Sequence, residues 1–253
     1  MFKSFQKYFL NLLFPISCLK CHQPGTVLCS DCLKTIKGVD LQVCPLCEKA
    51  ITLNGEVCRP CQQKFNPALN RLIVSADYKN KFLAKAIHLF KYKFIKDFSK
   101  PLAQLMINNS EKLTIPVPDY LLSIPLHPRR LRWRGFNQAE LLAQELSEKL
   151  LVGLKIPILG NSTNQLIIRC RHTKPQKDIK NYSQRQTNLK NIFKINNLFS
   201  WENYSLPTKN LAGKNILIVD DVSTTGSTIF NYAQELKKLN PKSISAIILG
   251  RQH

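Results

Sequence analysis

The stretch Ile216–Thr228 reads ILIVDDVSTTGST. A short apolar run, Ile216–Val219, leads into two adjacent carboxylates, Asp220 and Asp221. A hydroxyl-rich run follows, Ser223-Thr224-Thr225-Gly226-Ser227-Thr228, and then an amphipathic segment over Ile229–Leu239. The apolar run has the length and flanks of a buried parallel strand, and the last segment has helical spacing. The loop between them offers successive backbone N–H groups, hydroxyls and a helix N-terminus, which suit a phosphate monoester. Gly226 supplies either a positive φ or a close backbone approach. Carboxylates do not hold phosphate. Beside such a cradle the pair suits the vicinal hydroxyls of a ribose, with a hard cation such as Mg²⁺ nearby. The plainer reading is a strand–turn–helix whose Thr and Ser only cap the helix, and it leaves the paired acids without a purpose.

The order of hydrophobic residues, two acids and TTGST resembles the phosphoribosyl-diphosphate (PRPP) binding motif of type I phosphoribosyltransferases. The resemblance implies an α/β fold: a parallel sheet with helices on both faces and the ligand at the C-terminal strand ends.

The 253 residues suffice for one main domain with a small appendage, and a hydrophobic content of 44% fits a globular chain. No apolar run reaches the length of a transmembrane helix. A formal net charge of +21 points to an anionic partner: nucleic acid, a polyphosphate substrate or an acidic protein. The charge is spread along the chain, so it says anion rather than DNA. The start, MFKSFQKYFLNLLFPISC, imitates a signal peptide, but Asn11 interrupts its apolar core and Pro15 ends it without a small-residue cleavage site. Residues 1–17 read as an amphipathic helix that packs on the protein, with a membrane-surface or partner-docking helix as the alternative.

Eight of the nine cysteines form four Cys-x-x-Cys pairs: Cys18/Cys21, Cys29/Cys32, Cys44/Cys47 and Cys58/Cys61. Two residues between cysteines let both thiolates of a tight turn face one metal, and two such turns complete a tetrahedron. The four pairs supply ligands for two Zn²⁺ ions, joined either sequentially or interleaved. A disulfide cluster needs an export signal, a redox pair would be single, and iron–sulfur ligation usually has other spacing. Residues 18–64 thus read as a double zinc-finger-like, zinc-ribbon-like module. It is poor in large apolar residues and dependent on metal to fold. The remaining Cys170 reads as an apolar side chain on a strand.

Residues 65–253 change in texture. Leu72–Ala76 and Tyr120–Ile124 read as strands, and Phe82–Ile95 as an amphipathic helix. The lysines around that helix suit a solvated face or nucleic-acid contact equally. In IPLHPRRLRWRGFNQAELLAQEL, residues 124–146, a strand end opens into a loop carrying His127, Arg129, Arg130, Arg132 and Arg134. A glycine turn at Gly135 and a helix from about Asn137 follow. Guanidinium groups chelate phosphate oxygens in a way that suits a diphosphate. A strand at Leu166–Cys170 precedes a second basic block, residues 169–188, which reads as a solvated loop or a lid over an anionic ligand.

The order of Cys pairs, PLHPRRLRxRGFNQAE, RxRxTxPQ, PRPP loop and a strand ending in Gly250-Arg251 resembles the ComF family (competence protein F, or GntX-like) over nearly the whole chain. That family is associated with DNA uptake in natural transformation, on the cytoplasmic side of the inner membrane. The resemblance implies single-stranded DNA and PRPP as ligands, with a DNA-uptake helicase or other competence proteins as partners. It also implies a cytoplasmic location, peripheral at the inner face of the membrane where such partners sit. It places Asp220 and Asp221 on the ribose hydroxyls, and Thr224, Thr225, Gly226, Ser227 and Thr228 on the 5-phosphate. The loop His127–Arg134 faces the diphosphate, with Arg129 and Arg130 as catalytic charges. Arg169, Arg171, Thr173 and Gln176 belong to the lid. If the chain is a pentosyl transferase, Mg²⁺ and the arginines neutralise the leaving diphosphate, and a nitrogen nucleophile attacks C1 of the ribose. His127 is then a candidate proton donor. The alternative is a nucleobase-salvage transferase without a DNA role, but the lid offers no evident base pocket.

Overall fold

The computed structural model describes residues 16–151, 155–171, 192–204 and 210–252. Residues 1–15 of the helix expected over 1–17, and the lid residues Thr173 and Gln176, lie outside them.

The Cys segment is built from one pattern used twice. In each half a Cys-x-x-Cys turn is followed by a residue in the left-handed region, His22 (φ 60) or Glu48 (φ 57). In each half the next pair opens a helix: Cys29 caps α1 (Ser30–Lys34) and Cys58 caps α2 (Arg59–Phe65). A minimal hairpin, β1 (Gln42–Val43) with β2 (Ile51–Thr52), carries the second turn, as a zinc ribbon would.

Beyond it run β3 (Arg71–Asp77), α3 (Lys81–Tyr92), α4 (Ser99–Ser110), β4 (Tyr120–Ser123), α5 (Pro128–Arg134) and α6 (Gln138–Lys149). They are followed by β5 (Ile167–Arg169), β6 (Phe193–Ile195), β7 (Asn215–Ser223), α7 (Ser227–Lys237) and β8 (Ser243–Arg251). Four strands form a parallel sheet in the order β3-β8-β7-β4. Pro157 and Leu159 pair their backbones with Leu121 to extend it one step beyond β4.

Strand alternation divides the core. Leu217, Val219, Ile247 and Leu249 face the layer of α3, α4 and α6. Ile216, Ile218, Ala246 and Ile248 face α7 and the paired strands β5 and β6. Strands buried on both faces explain the near-continuous apolar runs in β7 and β8.

The Cys segment has more apolar packing than its composition suggests. Val27, Leu28, Leu33 and Ile36 join the same apolar cluster as Leu105, Met106 and Phe98. The segment also covers the outer edge of β3. Gly55 O accepts from Leu72 N at 2.9 Å, Val57 N donates to Asn70 O at 3.0 Å and Val39 N donates to Ser75 O at 3.3 Å. The side-chain amide of Gln42, 1% exposed, acts as one more strand residue: Nε2 donates to Val74 O and Oε1 accepts from Val74 N, each at 3.0 Å. Gly55 (φ +70) permits this approach, because a Cβ there would lie 2.2 Å from Leu72 O. An unpaired parallel edge would otherwise template association with other chains.

Three expectations are corrected. The stretch Pro128–Arg134 is a helix rather than a loop. Pro128 sits in its first turn, His127 Nδ1 accepts from Arg129 N at 3.2 Å, and Gly135 (φ 74) closes it. Strand β7 runs on past Val219, so Asp220 and Asp221 lie within it. Cys170 follows β5 and is exposed, and β5 pairs antiparallel with β6 outside the main sheet.

Candidate functional site

At the C-terminal end of β7 a cavity of ≈ 180 Å³ is bordered by Asp220, Asp221 and the loop after them. Alternation along the strand sends the two carboxylates toward opposite layers. Lys91 Nζ from α3 meets Asp221 Oδ1 at 2.9 Å. Each carboxylate also accepts from the chain just after it: Asp221 N reaches Asp220 Oδ1 at 2.9 Å and Val222 N reaches Asp221 Oδ1 at 2.6 Å. Burial, with the Asp221 charge beside it, pushes the Asp220 carboxyl up to about 7; Lys91 and Arg169 pull the other way.

The loop is held by its own hydroxyls. Ser223 Oγ accepts from Gly226 N at 2.9 Å, and the Thr225 and Ser227 hydroxyls lie 2.5 Å apart. Gly226 (φ +75) starts α7, and a Cβ there would come within 3.0 Å of the Phe230 ring. Both the backbone conformation and the space demand glycine. Thr224, Ser227 and Thr228 border the cavity directly. Thr225 and Gly226 shape the loop behind them.

Opposite the carboxylates stand Lys91, Arg130, Arg134 and Arg169, four cations against two acids in one cavity. Arg134 is 7% exposed, and its Nη1 donates to Gln138 Oε1 at 2.6 Å. Its Nε is buried without a hydrogen-bond partner among the described residues. Burial, reinforced by the nearby Arg130, brings Arg169 down to about 10, which still leaves it charged at neutral pH. Such a surplus of guanidinium groups suits a diphosphate with a divalent cation.

The expected residues divide. Asp220, Asp221, Thr224, Ser227, Thr228, Arg130 and Arg169 come together. Arg129 is exposed on α5 and does not border the cavity; Arg134, one helical turn beyond Arg130, does. Arg171 lies at a separate cleft with Phe193, Lys194 and Glu235. His127 caps α5. Arg134 is expected here with the rest of the His127–Arg134 stretch; Lys91 borders the cavity where the sequence shows only a basic helix face.

The Cys pairs join sequentially: the sulfurs of Cys18, Cys21, Cys29 and Cys32 lie within 4.8 Å of one another, as do those of Cys44, Cys47, Cys58 and Cys61. Cys21 and Cys29 are 3.6 Å apart and Cys47 and Cys58 3.8 Å, near the roughly 3.8 Å edge of a tetrahedron with Zn–S bonds of about 2.3 Å. Burial opposes the Cys18 thiolate, but the N–H groups of Cys21, Cys29 and Lys20 outweigh it and bring the thiol down to about 6. The N–H groups of Ala50 and Lys49 bring Cys47 to about 6. Burial and the neighbouring sulfurs push Cys32 and Cys61 up to about 12. Four sulfurs so close do not all ionise by themselves, and a divalent cation among them removes the conflict. Both sets fit a tetrahedral metal.

One side chain links the two sites. Arg251, 6% exposed at the end of β8, donates from Nε to Thr224 O at 3.1 Å in the loop. Its Nη2 donates to Pro45 O at 3.3 Å, inside the second Cys turn, and pairs with the Glu48 carboxylate beside that turn.

Compared with known proteins, residues 136–253 match the phosphoribosyl transferase domain family. DNA utilization protein YhgH of Escherichia coli (strain K12) is 31% identical over 248 residues, covering 95% of this chain and 99% of that one. Competence protein F of Haemophilus influenzae is 28% identical over 248 residues, 94% of this chain and 98% of that one. Competence protein ComFC of Bacillus subtilis is 25% identical over 242 residues, covering 90% and 86%. A purine phosphoribosyltransferase from Pyrococcus horikoshii Ot3 overlays 60% of this chain and 80% of its own at 19% identity and a TM-score of 0.31, too loosely for residues to be equated.

Proposed function

Because the chain belongs to the ComF family of competence and DNA utilization proteins, we propose that it binds PRPP with Mg²⁺ in the Asp220–Asp221 cavity and serves DNA uptake, handling single-stranded DNA on the cytoplasmic side. One observation carries the PRPP reading. Two carboxylates, a hydroxyl loop at a helix N-terminus and four cations border a single cavity at the end of a parallel strand.

In this reading the loop from Ser223 and the first turn of α7 take the 5-phosphate. Asp220 and Asp221 take the ribose hydroxyls, and Arg130, Arg134 and Arg169 take the diphosphate. Mg²⁺, bound with the diphosphate, adds positive charge where the leaving group develops negative charge. Ligand entry exchanges the Lys91–Asp221 ion pair for hydroxyl contacts and frees the ammonium to meet phosphate. Pentosyl transfer at this site breaks the bond from C1 to the diphosphate oxygen and forms a bond from C1 to an acceptor nitrogen. The chain's part is charge stabilisation and exclusion of water rather than covalent attack. The Cys sets hold two Zn²⁺ ions, and residues 18–64 serve as a cover for the sheet as much as a reader of DNA.

The test is calorimetric titration of PRPP with Mg²⁺ into the metal-loaded protein and into Asp220→Ala/Asp221→Ala. Binding by the first and none by the second is the expected result. A wild-type protein that binds no PRPP overturns the reading.

A further inference from the structure

Beside the cavity, three large aromatic side chains stand in solvent: Tyr92 is 42% exposed, Phe94 42% and Trp133 57%. They come from two elements, the C-terminal end of α3 with the turn after it and the last turn of α5. The Phe94 and Trp133 rings meet edge to face at 5.5 Å, and those of Tyr92 and Trp133 lie 6.2 Å apart. Phe94 has φ 59, a conformation rare for an aromatic residue. The backbone is thus held in an unfavourable region where its ring completes an exposed cluster. Exposed apolar clusters of this kind mark binding surfaces.

The surroundings name the partner. Segments 88–97 and 127–135, which carry the three rings, hold three lysines and four arginines against the single acid Asp97. Lys93, Lys96, Arg129 and Arg132 are exposed. The Arg134 guanidinium lies 5.5 Å from the Tyr92 ring centre and 5.9 Å from that of Trp133. Tyr92 and Arg134 also border the phosphoribosyl cavity, so the aromatic surface and the cavity are continuous. Rings that offer flat faces among cations match a chain of unpaired bases on a phosphate backbone, because bases stack on the rings while phosphates meet the cations. A duplex keeps its bases stacked inside and cannot use the rings.

We infer that Tyr92, Phe94 and Trp133 form a base-stacking platform for single-stranded nucleic acid, placed so that the strand runs past the mouth of the cavity. This rests on the nucleic-acid partner proposed above and assigns its surface.

Trp133 is one of two tryptophans in the chain, so Trp201→Phe makes it the sole indole reporter. Titration of that protein with an oligothymidylate of about thirty nucleotides should quench Trp133 emission, and the matched duplex should bind more weakly. Trp133→Ala and Phe94→Ala should each weaken single-strand binding roughly 10- to 100-fold. Their PRPP affinity should stay within about twofold, which shows that the fold is intact, and Trp133→Phe should restore most of the loss. Wild-type affinity in both alanine variants overturns the platform but leaves single-strand binding standing elsewhere on the molecule. Equal binding of duplex and single strand by the wild type also overturns it. No binding of oligothymidylate by the wild type overturns both the platform and the single-stranded DNA reading, and leaves the rings to an acidic protein.

Discussion

Asp220 shows what a partly buried acid does beside a second carboxylate. Its carboxyl is pushed up to about 7 by burial and by Asp221, against an unfolded value of about 3.9. The folded state therefore holds a proton that the unfolded chain has lost between roughly pH 4 and 7, so stability falls as pH rises through that window. Asp220→Asn removes the loss, and its melting temperature relative to wild type should climb from pH 5 to pH 8. In the proposed reading PRPP needs the ionised form. Wild-type affinity, taken relative to the Asn variant so that ligand titration cancels, should rise roughly tenfold from pH 6 to pH 8. Gly226 gives a second check. Alanine there takes on a left-handed φ at about 1–2 kcal/mol and presses on Phe230, so Gly226→Ala should melt a few degrees lower and bind PRPP poorly. Both residues were legible in the sequence, because adjacent acids before TTGST have few other uses. Lys91 was not: a lysine on the polar face of a helix reads the same whether it meets solvent or a carboxylate from another strand.

Elements were readable where local chemistry is strong. Strands β3, β4, β7 and β8 follow from apolar runs that a doubly covered parallel sheet requires. Helix α6 follows from Asn137, whose Oδ1 accepts from Ala139 N while Nδ2 donates to Ile124 O. Helix α5 carries its own signals, Pro in its first turn and Gly just after its last residue, but four arginines within seven residues draw attention to chemistry over shape. No local pattern announces the cover on β3, since it depends on one glutamine reaching a strand 32 residues away. Gln42→Leu keeps the volume and strands both polar groups of Val74. It should destabilise the protein by about 2–4 kcal/mol, read by urea denaturation. The Val74 amide should exchange with solvent faster in the same variant, while amides of β4 on the far side of the sheet keep their protection.

At the scale of the molecule, the Cys segment and the loop after β7 are one mechanical unit through Arg251, which grips Thr224 O on one side and Pro45 O and Glu48 on the other. Neither the Cys pairs nor the PRPP motif, read alone, predicts that connection. The double variant Cys47→Ala/Cys58→Ala disrupts the second Cys set at a distance from the cavity, and its PRPP affinity should fall by roughly tenfold or more by calorimetry. Arg251→Met should loosen the loop similarly with the metals in place, which identifies the arginine as the route. Unchanged PRPP affinity in both variants would separate the two sites. The covered edge of β3 carries a consequence for the life of the protein in a cell. On the proposed zinc reading, a chain made while zinc is scarce, or one whose thiols have been oxidised, holds that cover less firmly and leaves more of the strand's N–H and C=O groups open to other chains. Its fate is then self-association and disposal. On that reading, metal supply would set how much of the protein survives as well as how well each copy works.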